Sequence, residues 1–435
     1  MLKVNIKYCG NIYYVVKYRK QIAKESEIMK VINGSIIAPR GFKAYGLRAG
    51  IKPGKTNKDM AVILSDKDAV CAGAYTRNRV KAAPVIWDKK VTDRGTARAV
   101  IINSGIANAC TGERGYDDTS KTAQILAGLI DSEKEKILVA STGVIGANLP
   151  MEVIEKGANM LVPLADNTEE AADLAAEAIM TTDTHSKKIA VEFELVGKTV
   201  RMGGMCKGSG MIHPNMGTML SFITTDAVIS HEMLDKALKE DVENTYNMVS
   251  VDGDTSTNDT VVVIANGMAE NAKITSENQD YEVFCAALNF VNEYLAKQIA
   301  ADGEGATKLL EVKVQNAVSP EDAKILAKSV ITSNLTKAAV FGRDANWGRI
   351  LCALGYSGGE FEPDKTEIAL KSSNGELVIV KNGVGTGYSE DLATQILSAD
   401  EVTVSVDLHG GAFSATAWGC DLTYDYVKIN ADYRS

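Results

Sequence analysis

The sequence predicts a mixed α/β protein in which strands and helices follow one another without regular alternation. Two runs carry period-two patterning, Val191/Phe193/Leu195 against Glu192/Glu194 and Val402/Val404/Val406 into Leu408, as half-buried strands do. Phe284, Leu288, Val291, Leu295 and Ile299 recur instead at helical spacing and mark a long amphipathic helix. No recognisable internal repeat organises the two kinds of element.

Taken in order, residues 1–28 differ from the rest. They hold six Lys/Arg against two acidic residues, with Tyr8, Tyr13, Tyr14 and Tyr18 close together. The apolar core Ile12-Tyr-Tyr-Val-Val16 is too short for the apolar region of a signal peptide, and no small-residue cleavage site follows. This segment is expected to be a leader upstream of a natural start at Met29. From Lys30 to Pro84, β-prone runs alternate with Gly/Pro turns, and Ala61–Leu64 and Val70–Tyr75 read as strands. Ala99–Asn103 reads as a buried strand delivering a Gly- and Asn-rich loop. A helix over Thr119–Ile130 and a strand over Ile137–Ala140, ending at Ser141-Thr-Gly143, follow. Asn167-Thr-Glu-Glu170 has capping-box spacing for a helix to about Met180.

In the second half, Ser230 caps a helix through Leu238 and Val261–Ala265 is a buried strand. Asp302-Gly-Glu-Gly305 follows the long helix, and Ser319-Pro320 starts another with proline in its first turn. Asn374-Gly375, flanked by Ile368/Leu370 and Leu377/Ile379, reads as a hairpin.

The 435 residues suffice for two or three domain-sized units or one large fold of two halves. A net charge of −9 argues against a nucleic-acid or anionic-membrane partner, which reward clustered Lys and Arg. The seven Cys are scattered singly, as expected of buried reduced thiols in a cytoplasmic protein. Four lone His give no metal-ligand spacing, and no apolar run approaches the roughly 18 residues a membrane helix needs. Gly383-Val-Gly-Thr-Gly387 and Gly208-Ser-Gly210 lack the order of a phosphate loop, and Asp252-Gly-Asp254 with Asn258 and Asp259 lacks EF-hand spacing. That acidic stretch reads as a polar structural loop, so no metal is assigned.

The central stretch is Lys207-Gly-Ser-Gly-Met-Ile-His-Pro-Asn-Met-Gly-Thr-Met-Leu220, a glycine-rich turn running into an apolar strand. Gly217 lets its carbonyl be approached closely. Attack by the Thr218 hydroxyl would give an N-to-O acyl shift, and hydrolysis of that ester would cut the chain. Thr218 would then carry a free α-amine able to act as base for its own hydroxyl. The bland alternative is a turn and nothing more.

These residues closely resemble the self-processing segment of the ornithine acetyltransferase (glutamate N-acetyltransferase) family. So do, in the same order, Asn103-Ser-Gly-Ile-Ala-Asn-Ala-Cys110, Ser141-Thr-Gly-Val-Ile-Gly146, Ile179-Met-Thr-Thr-Asp-Thr184, Val251-Asp-Gly-Asp-Thr-Ser-Thr-Asn258, Phe341-Gly-Arg-Asp-Ala-Asn-Trp-Gly-Arg349 and Trp418 to Tyr433. The resemblance runs from about Lys30 to the last residue. It departs where the family more often has Ala before the nucleophile, here Gly217, and often ends in Thr, here Ser435.

The resemblance implies stacked β-sheets covered by helices, a sandwich with an N-terminal-nucleophile-like layout. It implies autocleavage between Gly217 and Thr218 into an α chain, 29–217, and a β chain, 218–435, which stay associated as an α2β2 assembly. It implies Thr218 as nucleophile, Thr142 and Gly143 as oxyanion hole, and Thr181, Lys207, Glu304, Asn430 and Ser435 as substrate contacts alongside Thr218. Read alone, Ser141-Thr-Gly143 is an ordinary strand exit and Lys207 a solvated lysine. The implied reaction moves acetyl from N-acetylornithine to glutamate in arginine biosynthesis without a cofactor, with acetyl-CoA left open as a second donor. A hydrolase or aminopeptidase of related architecture, using water as acceptor, and a non-enzymatic amino-acid-binding regulatory protein whose Gly-rich loop only cradles a ligand are the other readings.

Overall fold

The computed structural model describes residues 29–52, 54, 56–213 and 219–432. The leader 1–28, the bond between Gly217 and Thr218, and Ser435 lie outside the described residues. The described chain begins with β1 (Met29–Ile32), β2 (Phe42–Leu47), β3 (Met60–Tyr75), α1 (Ala83–Arg94), β4 (Thr96–Ile106), α2 (Gly112–Leu129), β5 (Ile137–Val144), α3 (Met151–Leu164) and α4 (Glu169–Ala178). Then come β6 (Lys187–Leu195), β7 (Lys198–Lys207), β8 (Leu220–Thr225), α5 (His231–Val242), β9 (Val249–Ser250), β10 (Thr260–Ala265) and α6 (Gln279–Ala301). The last third holds β11 (Leu309–Ala317), α7 (Pro320–Thr332), α8 (Asn334–Phe341), α9 (Trp347–Gly355), β12 (Glu367–Ser372), β13 (Gly375–Lys381), β14 (Val384–Gly385), α10 (Glu390–Leu397), β15 (Glu401–Asp407), β16 (Phe413–Cys420) and α11 (Tyr424–Asp432).

Among the described residues these strands form two sheets. The first runs β1-β6-β7-β8-β10-β3-β4-β5, with β2 on β3; the second runs β14-β13-β12-β15-β11-β16-β9. Helix α6 lies between them. Its Leu295 and Val291 pack where β7 has Gly204, and its Lys297 reaches Glu311 of β11 at 3.5 Å and lies over the Trp418 ring of β16. Glu311 and Trp418 are cross-strand partners on one face of the second sheet. Side chains alternate faces along a strand, so Gly419 faces the other way, where it meets Ile331 of α7. The second sheet is thus covered by α6 on one face and α7 on the other. The opposite face of the first sheet holds a separate core under α1 to α4, including Val62, Ile101, Leu126, Leu138 and Ala175. The architecture is a mixed α/β fold of stacked sheets and helices.

Several boundaries differ from the sequence reading. Ala61–Leu64 and Val70–Tyr75 are one 16-residue strand, interrupted only by the register shift between Leu64 and Ala69 that carries the exposed Asp66, Lys67 and Asp68. Strand β5 continues through Ser141-Thr-Gly143 to Val144, paired with β4 throughout. Thr168, not Asn167, caps α4, accepting from the Ala171 N–H. Helices α1 and α3 were not legible. The Cys were expected to be buried, yet Cys110 and Cys352 are exposed. No described helix is long and apolar enough to cross a membrane.

Strands on both sides of the 207–220 connection share one sheet. β8 pairs with β7, Lys207 opposite Leu220, and β10 joins β8 to β3. A cut within that connection would sever no strand pairing.

Candidate active site

The ends of several strands converge on one small cleft of about 140 Å³ lined by Thr142, Gly143, Thr181, Lys207, Glu304 and Asn430 among others. A larger cleft of about 560 Å³, between the end of β11, the turn after β15 and the segment after α9, has Glu360 and Glu362 as its ionisable lining residues among those described. The smaller one is singled out by gathering residues from four of the sequence motifs, Thr142-Gly143, Thr181, Lys207 and Asn430.

Its first wall is the β4/β5 pair. Ser104 lies opposite Thr142 and Gly105 opposite Gly143, after which the register shifts. Gly143 has φ +129°, and a Cβ there would sit 2.3 Å from the Gly105 carbonyl carbon and 2.4 Å from its oxygen. Only glycine fits this close backbone approach. Buried Asn258 fastens the wall by donating from Nδ2 to the carbonyls of Ala107 at 2.6 Å and Ser141 at 2.7 Å. Ser141 Oγ donates to Asn103 Oδ1 at 2.6 Å. Thr142 and Gly143 thereby line the cleft from a braced strand end.

The second wall is the end of β7. Lys207 is 5% exposed, and its Nζ lies 4.0 Å from Asp183 Oδ2. Beyond it the glycine-rich turn is pinned to its surroundings. Gly208 N–H donates to Asp183 Oδ1 at 2.7 Å, and Ser209 Oγ donates to the Asp302 carbonyl at 2.6 Å. Asp252 accepts from the Met211 and Ile212 N–H groups at 2.6 and 2.8 Å, a structural role for the acidic stretch. A Cβ on Gly210 would meet the Glu304 carboxylate at 2.3–2.4 Å. That glycine lets the third wall close against the second.

Glu304, 9% exposed, sits in the turn after α6, where its N–H donates to the Ser209 carbonyl at 2.9 Å. Asn430 of α11 donates Nδ2 to Glu304 Oε2 at 2.8 Å. Thr423 Oγ1 donates to the Gly305 carbonyl at 2.7 Å, so the base of the C-terminal helix is tied to this turn. Thr181 completes the lining, its N–H donating to Asp183 Oδ2 at 3.0 Å.

Beneath lies a buried ion cluster that sequence reasoning missed. Lys187 bridges Asp183 at 2.7 Å and Asp302 at 2.5 Å, with all three side chains at most 3% exposed. Burial alone would raise the Asp183 carboxyl, but the Lys187 and Lys207 ammoniums and the Thr181 N–H hold it well below the usual carboxylate range. Burial likewise opposes charge on Lys187, yet Asp183 and Asp302 outweigh it and raise its pKa. Lys52, which donates to the Met180 carbonyl at 2.9 Å, is lowered, chiefly by burial. The sequence signals for this cluster were Asp183 within a family motif and Asp302 in the turn after the long helix.

Asp259 reads in sequence only as part of a polar structural loop. It is 1% exposed, neither carboxyl oxygen has a hydrogen-bond partner among the described residues, and burial raises its pKa despite the nearby Met219 amide and Thr76 hydroxyl. An acidic residue directly before the buried run Thr260–Ala265 was the available clue.

His213, at the end of the described turn, shares a 3.1 Å hydrogen bond between Nδ1 and Ser250 Oγ. Burial first, then Lys328, push its pKa down to about 4, against a smaller upward pull from Asp254. The unfolded chain, with His near ~6.5, binds more protons between these values, so stability falls as pH drops through that window. We expect His213→Gln to lose less melting temperature than wild type between pH 7 and pH 4; equal losses would exclude His213 as a contributor.

Of the residues singled out from sequence, Thr142, Gly143, Thr181, Lys207, Glu304 and Asn430 all line this one cleft. Fold and cleft together define a mixed α/β protein with a small site that pairs hydrogen-bond donors with one cationic and one anionic side chain, suited to a zwitterionic ligand. The chain belongs to the ArgJ family, whose model matches residues 43–435. It is 52% identical, over 94% of its length and all of the relative's, to the arginine biosynthesis bifunctional protein ArgJ of Caldanaerobacter subterraneus subsp. tengcongensis. Among solved structures it resembles ArgJ from Bacillus halodurans, at 52% identity over 50% of this chain and 100% of that chain, TM-score 0.48. It also resembles ornithine acetyltransferase from Mycobacterium tuberculosis in complex with ornithine, at 39% identity over 43% of this chain and 98% of that one, TM-score 0.40.

Proposed function

We propose that this chain is an acetyltransferase of arginine biosynthesis that moves the acetyl group of N2-acetylornithine to glutamate, giving ornithine and N-acetylglutamate, through an ester on Thr218. The observation that carries the reading is the convergence of Thr142-Gly143, Lys207 and Glu304 on one cleft. An acyl transfer between amino acids needs an oxyanion site and handles for both substrate charges.

In this reading cleavage after Gly217 frees the Thr218 amine, which with a pKa near ~8 is partly neutral at cytoplasmic pH and takes the hydroxyl proton. Oγ attacks the acetyl carbonyl, and the oxyanion is held by the Thr142 hydroxyl and the Gly143 N–H. Collapse returns the proton to the departing ornithine amine. The glutamate amine then attacks the ester, and the same donors hold the second oxyanion. Lys207 takes the α-carboxylate, Glu304 the side-chain ammonium of ornithine, and Thr181, Asn430 and Ser435 complete the contacts. Acetyl-CoA is a second donor in this proposal, in keeping with the bifunctional name carried by the relatives. The α and β chains stay together as α2β2, consistent with a first sheet that takes strands from both.

The test is acetylornithine consumption with and without glutamate. Glutamate-dependent loss with ping-pong kinetics is expected; equal loss without glutamate would give the hydrolase reading. A sharper expectation concerns Glu304→Gln. Losing one charge-assisted contact should raise KM for acetylornithine about tenfold or more, while KM for glutamate, which has no side-chain ammonium, changes less. Equal changes would remove Glu304 from that role.

A further inference from the structure

The cluster Asp183–Lys187–Asp302 lies under the cleft without lining it, and it is bonded to the segments that carry Thr181, Lys207 and Glu304. Asp183 accepts from the Thr181 and Gly208 N–H groups, which flank the Thr181 and Lys207 positions. Asp302 accepts from the Thr184 N–H at 3.0 Å and, through its carbonyl, from Ser209, whose own carbonyl receives the Glu304 N–H. Lys187 joins the two carboxylates, and its side chain is 0% exposed.

Lys207 stands apart from this bonding. Its Nζ is 4.0 Å from Asp183 Oδ2, beyond hydrogen-bond reach, while both Asp183 oxygens are already occupied by Lys187, Gly208 and Thr181. A free buried carboxylate at that distance would close onto Lys207 and cap its ammonium. Held by three other donors, Asp183 instead supplies a nearby compensating charge, and no hydrogen bond from another described residue caps the Lys207 ammonium, which leaves its N–H groups for an incoming anion.

We propose that Asp183 is a positioning residue for substrate selection: pinned by Lys187, it sets the Lys207 ammonium at the cleft as the anchor for the α-carboxylate of the acetyl donor. This rests on the proposed function, in which Lys207 takes that carboxylate, and goes beyond it by naming what holds Lys207 uncapped. The same cluster fixes the Lys207 wall relative to the Glu304 wall through Asp302 and Ser209.

The experiment compares kcat/KM for N2-acetylornithine with that for its decarboxylated analogue N-acetylputrescine, in full-length, self-processed wild type, Asp183→Asn and Lys207→Met. Wild type prefers the carboxylate-bearing donor. Asp183→Asn should shrink that preference about tenfold or more, the scale of a hydrogen bond to a charged group, chiefly through KM for acetylornithine rather than kcat. A purely structural role lowers both donors alike and leaves the ratio at the wild-type value, which overturns the proposal. If Asp183→Asn does not yield folded protein, Asp183→Glu, which keeps the charge and shifts its position, takes its place. A shrunken preference in that variant supports the positioning role, and a wild-type ratio overturns it. Lys207→Met separates the two levels. Should it keep the wild-type preference, the carboxylate reading of Lys207 fails; should it lose the preference while the Asp183 variants keep it, only the positioning proposal fails.

Discussion

Thr218→Ala is expected to give a single full-length chain on a denaturing gel where wild type is expected to give two, and its acetyl transfer should fall by about a thousandfold or more, the scale on which an enzyme loses its nucleophile. Both effects follow from one missing atom. Without the hydroxyl there is no attack on the Gly217 carbonyl, hence no ester to hydrolyse and no free α-amine at residue 218. Without the same hydroxyl there is no acceptor for the acetyl group even if a chain were cut by other means. The stability of the variant should be close to that of the uncut parent, because the pairings on either side of the connection, β7 with β8 and β8 with β10, do not depend on cleavage. Two fragments from the Thr218→Ala protein would remove this residue from the processing step.

Gly143→Ala is the second large expectation. The position combines φ +129° with a backbone carbonyl 2.3–2.4 Å from where a Cβ would lie, so neither rotamer choice nor side-chain movement relieves the clash. Either β4 and β5 part near Gly105 or the Gly143 peptide turns, and in both cases the N–H proposed as oxyanion donor is displaced. A destabilisation of about 2–4 kcal/mol is expected from the strain. A fall in transfer of about a hundredfold to a thousandfold is expected from the lost oxyanion donor, and slower processing with it. The matched control is Gly128→Ala in α2, where the added methyl meets nothing within 4 Å. That change should stabilise by about 0.5–1 kcal/mol through helix propensity and leave both rates alone. Thermal melts and single-turnover assays of the pair check this. A Gly143→Ala protein with wild-type rates would remove that amide from the chemistry.

How far the fold was legible followed how directly periodicity reports burial. Strand β6 showed its alternation because Glu192 and Glu194 face outward while Val191, Phe193 and Leu195 are buried. Helix α6 was plain because Phe284, Leu288, Val291 and Leu295 are fully buried along one stripe. Helix α1 was hidden because its buried face holds Asp88 and Thr92 beside Trp87 and Val91, while Ile86 is exposed. Asp88 is there to accept the Val139 N–H at 2.7 Å, a tertiary need that no local pattern announces. Helix α3 was obscured by Pro163, tolerated near its C-terminal end. Strand β3 reads in sequence as two because the charged Asp66, Lys67 and Asp68 interrupt its apolar pattern, whereas a bulge keeps those charges in solvent without ending the strand.

The site was legible to a different depth. Residues that line the cleft sit in motifs that a family resemblance carries, and six of them meet there. The residues beneath were not, because Lys187 and Asp302 look in sequence like any exposed charges. Only long-range proximity, 115 positions apart in the chain, makes them a buried pair. Asn258, bridging to the carbonyls of Ala107 and Ser141, and Asp259, whose carboxyl oxygens have no hydrogen-bond partner among the described residues, read in sequence only as parts of a polar loop.

The proposed chemistry requires a chain that cuts itself to expose one threonine amine. N-terminal sequencing of catalytically active protein, taken together with intact mass, tests this most directly. Two sequences are expected, one of them beginning Thr-Met-Leu-Ser in equal amount to the other. Full activity in a preparation that yields a single N-terminus and an uncut mass would contradict it.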